Sequence, residues 1–344
     1  MELNTIIKKF IATENYEITP ITNGLINSTF LLENKDTSEK FILQKINKQI
    51  FKNPVSIIKN HLTINKKLIS NNYQLEVIRP VCTSENEFLI PDENDDVWRI
   101  QNFIENSLTF LKIPSHEIAY EAAKAFSHFL DIINIENSVN IEETLPDFIN
   151  FEKRIFDYQT SLKNTDSSLI EKAKREIEQT NQFLSLPDKW IELEKNNLLP
   201  KRIIHADPKI SNILFNQHQK PLAVIDLDTI MISTILYDFG DMIRSYTNTT
   251  NEDDGKTENN FNPEIYKAVK EGFLFHLKDK LTHTELENLD YAAKVVIYIQ
   301  AIRFLTDYLN GSIYYSTKYP EHNLDRTRNQ LQLLEGLNSF LSEK

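Results

Sequence analysis

Three oxygen-bearing side chains within residues 202–240 could perform chemistry together. Asp207 and Asn212 follow an apolar run, and Asp226 follows a second apolar run, Leu222 to Ile225. Apolar, β-branched runs that flank polar loops are typical of strands, so strand–loop–strand order can gather the three side chains around one point. Phosphoryl transfer needs such a set, in which a carboxylate takes the proton of the attacking hydroxyl and other oxygens hold Mg²⁺.

The spacing of these residues resembles the catalytic loop and metal-binding aspartate of kinases. The loop reads His-Ala-Asp-Pro-Lys-Ile-Ser-Asn over 205–212, and Ile-Asp-Leu-Asp stands at 225–228. Together they resemble the aminoglycoside-phosphotransferase-like, small-molecule kinases. An Asp-Phe-Gly also occurs at 238–240, but it lies too far downstream to be the metal-binding motif.

Five polar residues of this stretch have expected roles. Asp207 is the expected catalytic base and is expected to contact the substrate hydroxyl. Asn212 and Asp226 are expected to hold the Mg²⁺ ion that bridges the phosphates of ATP. His205 is expected to be a structural hydrogen-bonding group behind the loop. Asp228 is expected to hold a second metal ion or the acceptor, and a structural role is an equal alternative.

The composition indicates a soluble, cytoplasmic protein with room for two lobes. The chain has 344 residues, 40% hydrophobic and 26% charged, without an apolar run long enough to span a membrane or an N-terminal signal core. The single cysteine, Cys82, excludes an intramolecular disulfide and a cysteine-based zinc cluster. A net charge of −12 argues against a nucleic-acid partner held through its phosphates.

Residues 1–104 are predicted to form a nucleotide-binding lobe that ends in a linker strand. A hairpin over 18–32 carries Asn23, Gly24 and Asn27 at its tip, where backbone N–H groups could lie over phosphates. An ordinary hairpin is an equal alternative. At the other end of the lobe, main-chain groups near Asn102–Ile104 could bind the adenine edge.

The strand predicted at Lys40 to Ile46 is where such kinases supply a phosphate-binding lysine. The resemblance places this lysine position at Gln44. Side chains alternate along a strand, so Lys45 lies on the face of the sheet opposite to that of Gln44. Either Gln44 takes the place of the lysine, or a bulge turns Lys45 inward. The helix predicted after Phe51 has no acidic residue before Asn72 that could pair with a lysine, which fits an altered lysine position.

Residues 105–344 are predicted to form a catalytic and substrate-binding helical lobe, which makes the chain α+β with a protein-kinase-like bilobal fold. Several stretches narrow the resemblance to the N-acetylhexosamine 1-kinase branch: 41–47 with 50–54, 98–104, 205–212, and 303–311 with 319–324. This resemblance implies ATP- and Mg²⁺-dependent phosphorylation of the anomeric hydroxyl of N-acetylglucosamine or N-acetylgalactosamine. It also implies Arg303 and Tyr314 as sugar contacts, with packing roles an equal alternative. We expect a monomer or weak dimer.

Two other functions remain open at this point. One is another small-alcohol kinase, acting on a hexose, choline, homoserine or an aminoglycoside. The other is a catalytically inactive nucleotide-binding protein, which the missing lysine–glutamate pair suggests. The presence of Asp207, Asn212 and Asp226 together argues against the inactive protein, and an acceptor screen with Mg-ATP separates the kinases.

Overall fold

The computed structural model describes residues 3–11, 13–21, 26–135, 140–256 and 258–343. Two compact units account for the chain, and each combines separate segments of the sequence. The first unit consists of Met1–Thr109, Phe129–Pro146 and Asn212–Ile232. The second unit consists of Phe110–His128, Asp147–Ser211 and Ser233–Lys344. The domains predicted at 1–104 and 105–344 remain a prediction.

The described residues contain both strands and helices. The strands are β1 Tyr16–Ile21, β2 Ser28–Asn34, β3 Lys40–Ile46, β4 Pro80–Val81, β5 Ile90–Pro91, β6 Val97–Asn102, β7 Arg202–Ile204, β8 Ile213–Phe215, β9 Pro221–Val224 and β10 Met231–Ser233. The helices are α1 Leu3–Phe10, α2 Pro54–Ser70, α3 His116–Ile133, α4 Phe151–Asn164, α5 Ser167–Lys172, α6 Lys174–Gln182, α7 Asp188–Lys195, α8 Ile235–Tyr246, α9 Pro263–Leu277, α10 His283–Glu287, α11 Leu289–Leu309 and α12 His322–Ser342.

An antiparallel sheet in the order β1-β2-β3-β6-β4 forms the centre of the first unit, with β5 paired to β6. Its register places Gln44 between Thr29 on β2 and Arg99 on β6. Cross-strand partners share a face of the sheet, so these three side chains point the same way. Helix α1 covers part of the sheet, and its Ile7 packs in one apolar cluster with Leu43.

Helix α2 begins at Pro54, whose fixed backbone and missing N–H suit the first position of a helix. On its buried side, His61 Nε2 and Asn65 Nδ2 both lie within hydrogen-bond distance of the carbonyl oxygen of Ile78, at 2.9 and 2.8 Å. Two polar side chains of one helix therefore fix the segment that leads into β4.

The second unit is helical, and its long helix α11 packs against α4, α8 and α12. Gly240 of α8 lies directly against α11, since a Cβ at this position would be 2.6 Å from Val296 Cγ2 and 2.7 Å from the Ala292 carbonyl oxygen. Only glycine permits this approach of the two helices. The prediction of an α+β chain with an antiparallel sheet and a larger helical part is confirmed. Among the described residues, no helix is long and apolar enough to cross a membrane.

Candidate active site

A buried carboxylate fixes the start of the predicted catalytic loop, residues 205–212. Asp238, in the first turn of α8, accepts hydrogen bonds of 2.8 Å from the backbone N–H groups of both His205 and Ala206. Ala206 has a φ of 65°, in the left-handed region that alanine rarely adopts. Such a conformation costs about 1–3 kcal/mol and persists only where its surroundings hold it. The Asp238 carboxylate is the group that holds it.

The side chain of His205 lies behind this loop, fully buried. Its ring meets that of Phe126 edge-on, with the centroids 5.2 Å apart, and its Nδ1 accepts a hydrogen bond of 3.3 Å from the backbone N–H of Asp207. These contacts suit the structural role expected of His205, because they orient the backbone beside Asp207.

Asp207 remains partly accessible and carries a cationic neighbour from its own loop. Its Oδ2 lies 2.7 Å from the Nζ of Lys209, and 22% of the Asp207 side chain is exposed. Lys209 was not singled out by the sequence argument, although it stands only two residues after the expected base. The ammonium group of Lys209 is therefore in direct contact with the carboxylate that is expected to act as the base.

Asn212 and Asp226 are brought together in the first unit by the β8–β9 hairpin. Ile213 pairs with Val224, and the next backbone bond, from Ile225 N–H to the Asn212 carbonyl oxygen, measures 2.9 Å. Asp226 follows at once with a φ of 63°. An amide oxygen and an exposed carboxylate are the hard donors that Mg²⁺ prefers, so the two residues fit the predicted metal role.

The candidate metal site has few protein ligands. Among the described residues, no cluster of three histidine, cysteine or acidic side chains could hold a metal ion. A Mg²⁺ ion bound by two protein side chains takes its remaining oxygen ligands from phosphates and water, which is the usual arrangement in enzymes that use Mg-ATP.

Asp228 is engaged in a buried ion pair within the first unit. Its Oδ1 lies 2.7 Å from Arg99 Nη1, its Oδ2 accepts a hydrogen bond of 2.8 Å from Arg99 Nη2, and both side chains are 1% exposed. Asn27 Nδ2 donates a second bond to Oδ2 at 2.8 Å, and Thr144 Oγ1 donates to the Asp228 backbone carbonyl at 3.0 Å. Of the roles left open for Asp228, this geometry suits the structural one.

The same ion pair explains the environment of Gln44. Gln44 Oε1 accepts a hydrogen bond of 2.9 Å from Arg99 Nε, and Gln44 Nε2 donates to Thr29 Oγ1 at 3.1 Å. Lys45 points to the other face and pairs with Asp96 at 3.0 Å. The pairing of β3 with β2 and β6 runs without a register shift, so the alternative of a bulge that turns Lys45 inward is wrong.

Helix α2 adds a neutral side chain beside the ion pair. Burial, reinforced by the charge of Arg99, lowers the pKa of His61 to about 4. His61 is therefore uncharged at neutral pH, and the Arg99–Asp228 pair keeps its charge balance.

The expected adenine-binding segment, Asn102–Ile104, forms hydrogen bonds within the first unit, and its role in binding the base stays a prediction. Asn102 accepts a bond of 2.6 Å from the Arg79 N–H at its Oδ1, and donates its own backbone N–H to the Arg79 carbonyl at 3.1 Å. The Ile104 carbonyl accepts a bond of 2.7 Å from Ser107 Oγ. An apolar cluster adjoins this segment and could contact a base; it consists of Ile78, Ile104 and Ala223, with Leu214, Leu222 and Ile225 packed against it.

The hairpin tip is only partly described. Asn23 and Gly24 lie outside the described residues. Asn27 uses its Oδ1 to accept a bond of 2.9 Å from the Asn47 N–H, in addition to its bond to Asp228. Asn27 therefore joins the hairpin to the buried ion pair.

Arg303 and Tyr314, the expected sugar contacts, line one cavity of 170 Å³ in the second unit. The Arg303 guanidinium lies 4.9 Å from the ring centroid of Phe148 and donates a bond of 3.0 Å to Gln300 Oε1. Burial raises the pKa of Tyr237, with charges including those of Arg303 and Asp207 acting on it as well. Tyr237 thus lies within electrostatic range of both the cavity and the catalytic loop.

Comparison with known proteins adds a family for the centre of the chain. Residues 140–269 match the model of the phosphotransferase enzyme family. The matched segment contains the catalytic loop, the β8–β9 hairpin and Asp238. The predicted resemblance to aminoglycoside-phosphotransferase-like enzymes is thereby confirmed at the level of this family, for the segment that matches.

Solved structures share the fold over nearly the whole chain. A spectinomycin phosphotransferase in complex with ADP and spectinomycin has a TM-score of 0.65 at 12% identity, covering 98% of this chain and 98% of its own. A microcompartment-associated aminopropanol kinase has a TM-score of 0.61 at 14% identity, covering 99% and 97%. A choline kinase from Cryptosporidium parvum Iowa II has a TM-score of 0.55 at 18% identity, covering 98% and 96%. The predicted protein-kinase-like fold is confirmed, whereas the narrower resemblance to N-acetylhexosamine 1-kinases stays a prediction.

The Asp238 carboxylate should make stability depend on pH. Burial raises its pKa from 3.8 to about 7, against the two backbone hydrogen bonds that lower it. Because the folded pKa lies above the unfolded one, the stabilisation is complete below about pH 4 and is lost as the pH rises through about 7. Urea unfolding from pH 4.5 to 8 should show this decline, at up to about 1.4 kcal/mol per pH unit, and Asp238→Asn should flatten it. Parallel curves for wild type and Asp238→Asn would contradict the assignment, and the exposed Asp279→Asn serves as control.

The Arg99–Asp228 pair should be strongly coupled in stability. Arg99→Met leaves a buried carboxylate without its counter-ion and should cost about 3–5 kcal/mol in the free energy of unfolding. Adding Asp228→Asn should recover part of that loss, and the double-mutant cycle by urea unfolding measures how much. As a control, Lys48→Met breaks the exposed pair with Asp95 and should cost at most about 1 kcal/mol. If Arg99→Met and Lys48→Met lowered the free energy of unfolding equally, the buried pair would stabilise the fold no more than an exposed pair does.

Proposed function

We propose that this chain, whose central segment matches the phosphotransferase enzyme family, is an ATP- and Mg²⁺-dependent kinase of a small alcohol. We further propose that its acceptor is the anomeric hydroxyl of an N-acetylhexosamine. One observation carries the kinase proposal. A single loop, fixed at its start by Asp238, presents Asp207 and then Asn212, and Asn212 is hydrogen-bonded to the residue before Asp226.

The proposed reaction is an in-line transfer of the γ-phosphoryl group to the sugar hydroxyl. Its transition state is loose, so the protein mainly positions the reactants and stabilises charge. Asp207 orients the hydroxyl and takes its proton late in the transfer. Asn212 and Asp226 would hold Mg²⁺, which when bound neutralises phosphate charge. His205 and Asp238 keep the loop backbone in the conformation that points Asp207 outward.

Charge compensation in this protein differs from the usual kinase arrangement. The expected lysine position carries the neutral Gln44. The nearby Arg99 donates hydrogen bonds from Nε to Gln44 and from Nη2 to Asp228, and its Nη1 lies within ion-pair distance of Asp228. Lys209 is the cation beside Asp207, and we assign to it part of the compensation of the phosphoryl charge. A Mg²⁺ ion held by Asn212 and Asp226 would supply the rest.

The acceptor is inferred from the sequence resemblance and from the character of the cavity beside Arg303. Arginines and aromatic rings suit sugars, because guanidinium N–H groups bind hydroxyl and carbonyl oxygens and rings pack on the apolar face of a pyranose. Two acids and two arginines line this cavity. Asp157 pairs with Lys153 and Asp307 accepts bonds from two backbone N–H groups, so the charges of Arg154 and Arg303 disfavour cationic acceptors such as choline or an aminoglycoside. A neutral acceptor meets no such repulsion.

Replacement of the base tests the kinase proposal. Asp207→Asn keeps the side-chain volume but cannot take a proton, so ADP formation with Mg-ATP and N-acetylglucosamine or N-acetylgalactosamine should fall about 10²–10⁴-fold. Thermal unfolding of the variant should remain near that of wild type, and exposed Asp279→Asn should keep full activity. Turnover close to wild type in Asp207→Asn would remove Asp207 from the mechanism. No ADP formation by wild type with any sugar or amino alcohol would favour the inactive nucleotide-binding protein.

Replacement of a metal ligand tests the magnesium assignment. Asp226→Asn removes the charged member of the pair, so the Mg²⁺ concentration for half-maximal activity should rise about tenfold or more. A Mg²⁺ titration of ADP formation at fixed ATP measures this change, and Asn196→Ala, at an exposed amide, is the control. An unchanged titration curve in Asp226→Asn would place the metal elsewhere.

A further inference from the structure

Two arginines share the cavity of 170 Å³ in the second unit. Arg154 comes from α4 and Arg303 from α11, and both line the cavity with Tyr314 and Tyr315. In the part of the chain that the structure describes, neither arginine forms an ion pair with an acidic side chain. The charge of Arg303, together with the larger effect of burial, lowers the pKa of Arg154. In a chain of net charge −12, two neighbouring cations without a counter-ion require an explanation.

Neutral groups hold both arginines in place. Arg154 Nη2 donates to the carbonyl oxygens of Asp147 and Phe148, at 2.9 and 3.3 Å. Arg303 Nη1 donates to Gln300 Oε1 at 3.0 Å, and its guanidinium lies against the rings of Phe148 and Tyr315. Carbonyls and rings fix the orientation of a guanidinium without cancelling its charge. The two cations are therefore preorganised and retain their attraction for an anion.

The acids that line the same cavity are committed to other partners. Asp157 pairs with Lys153 at 3.0 Å. Asp307 accepts bonds from the backbone N–H groups of Tyr314 and Tyr315, at 2.8 and 3.0 Å, and from Asn323 Nδ2 at 2.8 Å. Neither carboxylate bonds to an arginine, and Asp307 instead fixes the turn that carries the two tyrosines.

Unsatisfied polar atoms also point to a ligand. Arg154 Nε and Thr306 Oγ1 are buried without a hydrogen-bond partner among the described residues. A buried polar group left without a partner costs about 1–3 kcal/mol. Both can donate hydrogen bonds, so a ligand rich in acceptor oxygens would satisfy them.

We propose that Arg154 and Arg303 form an anion subsite of the acceptor cavity, and that the preferred acceptor is an N-acetylhexosamine bearing a carboxylate or phosphate group remote from the phosphorylated hydroxyl. The inference rests on the proposed function for the identity of the reacting hydroxyl. The anionic group binds the two guanidinium groups, which form strong, charge-assisted hydrogen bonds with such oxygens. Tyr315 and Phe148 stand beside Arg303 to contact the sugar ring.

Binding of matched sugars tests the subsite without relying on turnover. Isothermal titration of the Asp207→Asn variant, with Mg²⁺ and a non-hydrolysable ATP analogue, compares N-acetylglucosamine with its 6-phosphate and its 6-carboxylate. At least one anionic sugar should bind about tenfold or more tightly than the neutral sugar, and the preference should shrink as salt is raised. Comparison of the affinities for the 6-phosphate and the 6-carboxylate identifies which anion the subsite favours. Equal affinity of all three sugars would overturn the proposal.

Variants of Arg154 separate an anion subsite from a general effect of charge. Arg154→Gln should reduce the ratio of the affinities for the anionic sugar and for N-acetylglucosamine to about one. Arg154→Lys should keep part of the preference, and Arg175→Gln, at an exposed arginine of α6, should keep all of it. An unchanged preference in Arg154→Gln would overturn the proposal, and thermal unfolding of each variant shows whether the fold is intact.

Failure of the subsite and failure of the kinase proposal give different results. If wild type forms ADP with neutral N-acetylhexosamines and binding shows no preference for an anion, the kinase proposal stands and the subsite is wrong. If no acceptor supports ADP formation but the anionic sugar binds in an Arg154-dependent manner, the subsite stands and the kinase proposal is wrong.

Discussion

The buried ion pair between Arg99 and Asp228 is the interaction on which the first unit depends. It joins the central strand β6 to the turn after β9, across 129 positions of sequence. Removing two charges from water is expensive, and the attraction offsets that cost only when the geometry is good and the remaining atoms are bonded. Here Gln44 and Asn27 supply those bonds. Since Asp226 stands two residues before Asp228, the same pair limits where the expected metal ligand can lie.

A second buried carboxylate does comparable work in the second unit. Asp238 binds two consecutive backbone N–H groups and holds Ala206 in a left-handed conformation, whereas Asp228 binds a cation. The two carboxylates therefore have different electrostatic surroundings. Without a cation in contact, burial raises the pKa of Asp238 to about 7. Asp228 instead lies 2.7 Å from the Nη1 of Arg99. Each unit thus has its own buried carboxylate, one bound to backbone N–H groups and the other to an arginine.

The sequence could select the residues of the candidate site because the determinants of this selection are local, and the roles of these residues stay predictions. Asp207 and Asn212 lie five residues apart in one loop, and Asp226 ends a short apolar strand, so spacing alone could select them. Alternation along β3 correctly separated the faces of Gln44 and Lys45. The partner of Gln44 could not be predicted, since Arg99 lies 55 residues away and reads as an ordinary strand residue. Arg154 was missed for the same reason, because its importance comes from Arg303, which lies far along the chain.

The orientation of Lys45 has a practical consequence for detecting this protein in cells. Nucleotide-based acylating reagents label kinases at the lysine that contacts the phosphates. Here that position is a glutamine, which is not nucleophilic, and the adjacent amine of Lys45 faces the other side of the sheet in contact with Asp96. Under the proposed function, such reagents lack the usual amine at this position, so a proteomic survey that relies on them would under-report the protein even where it is abundant.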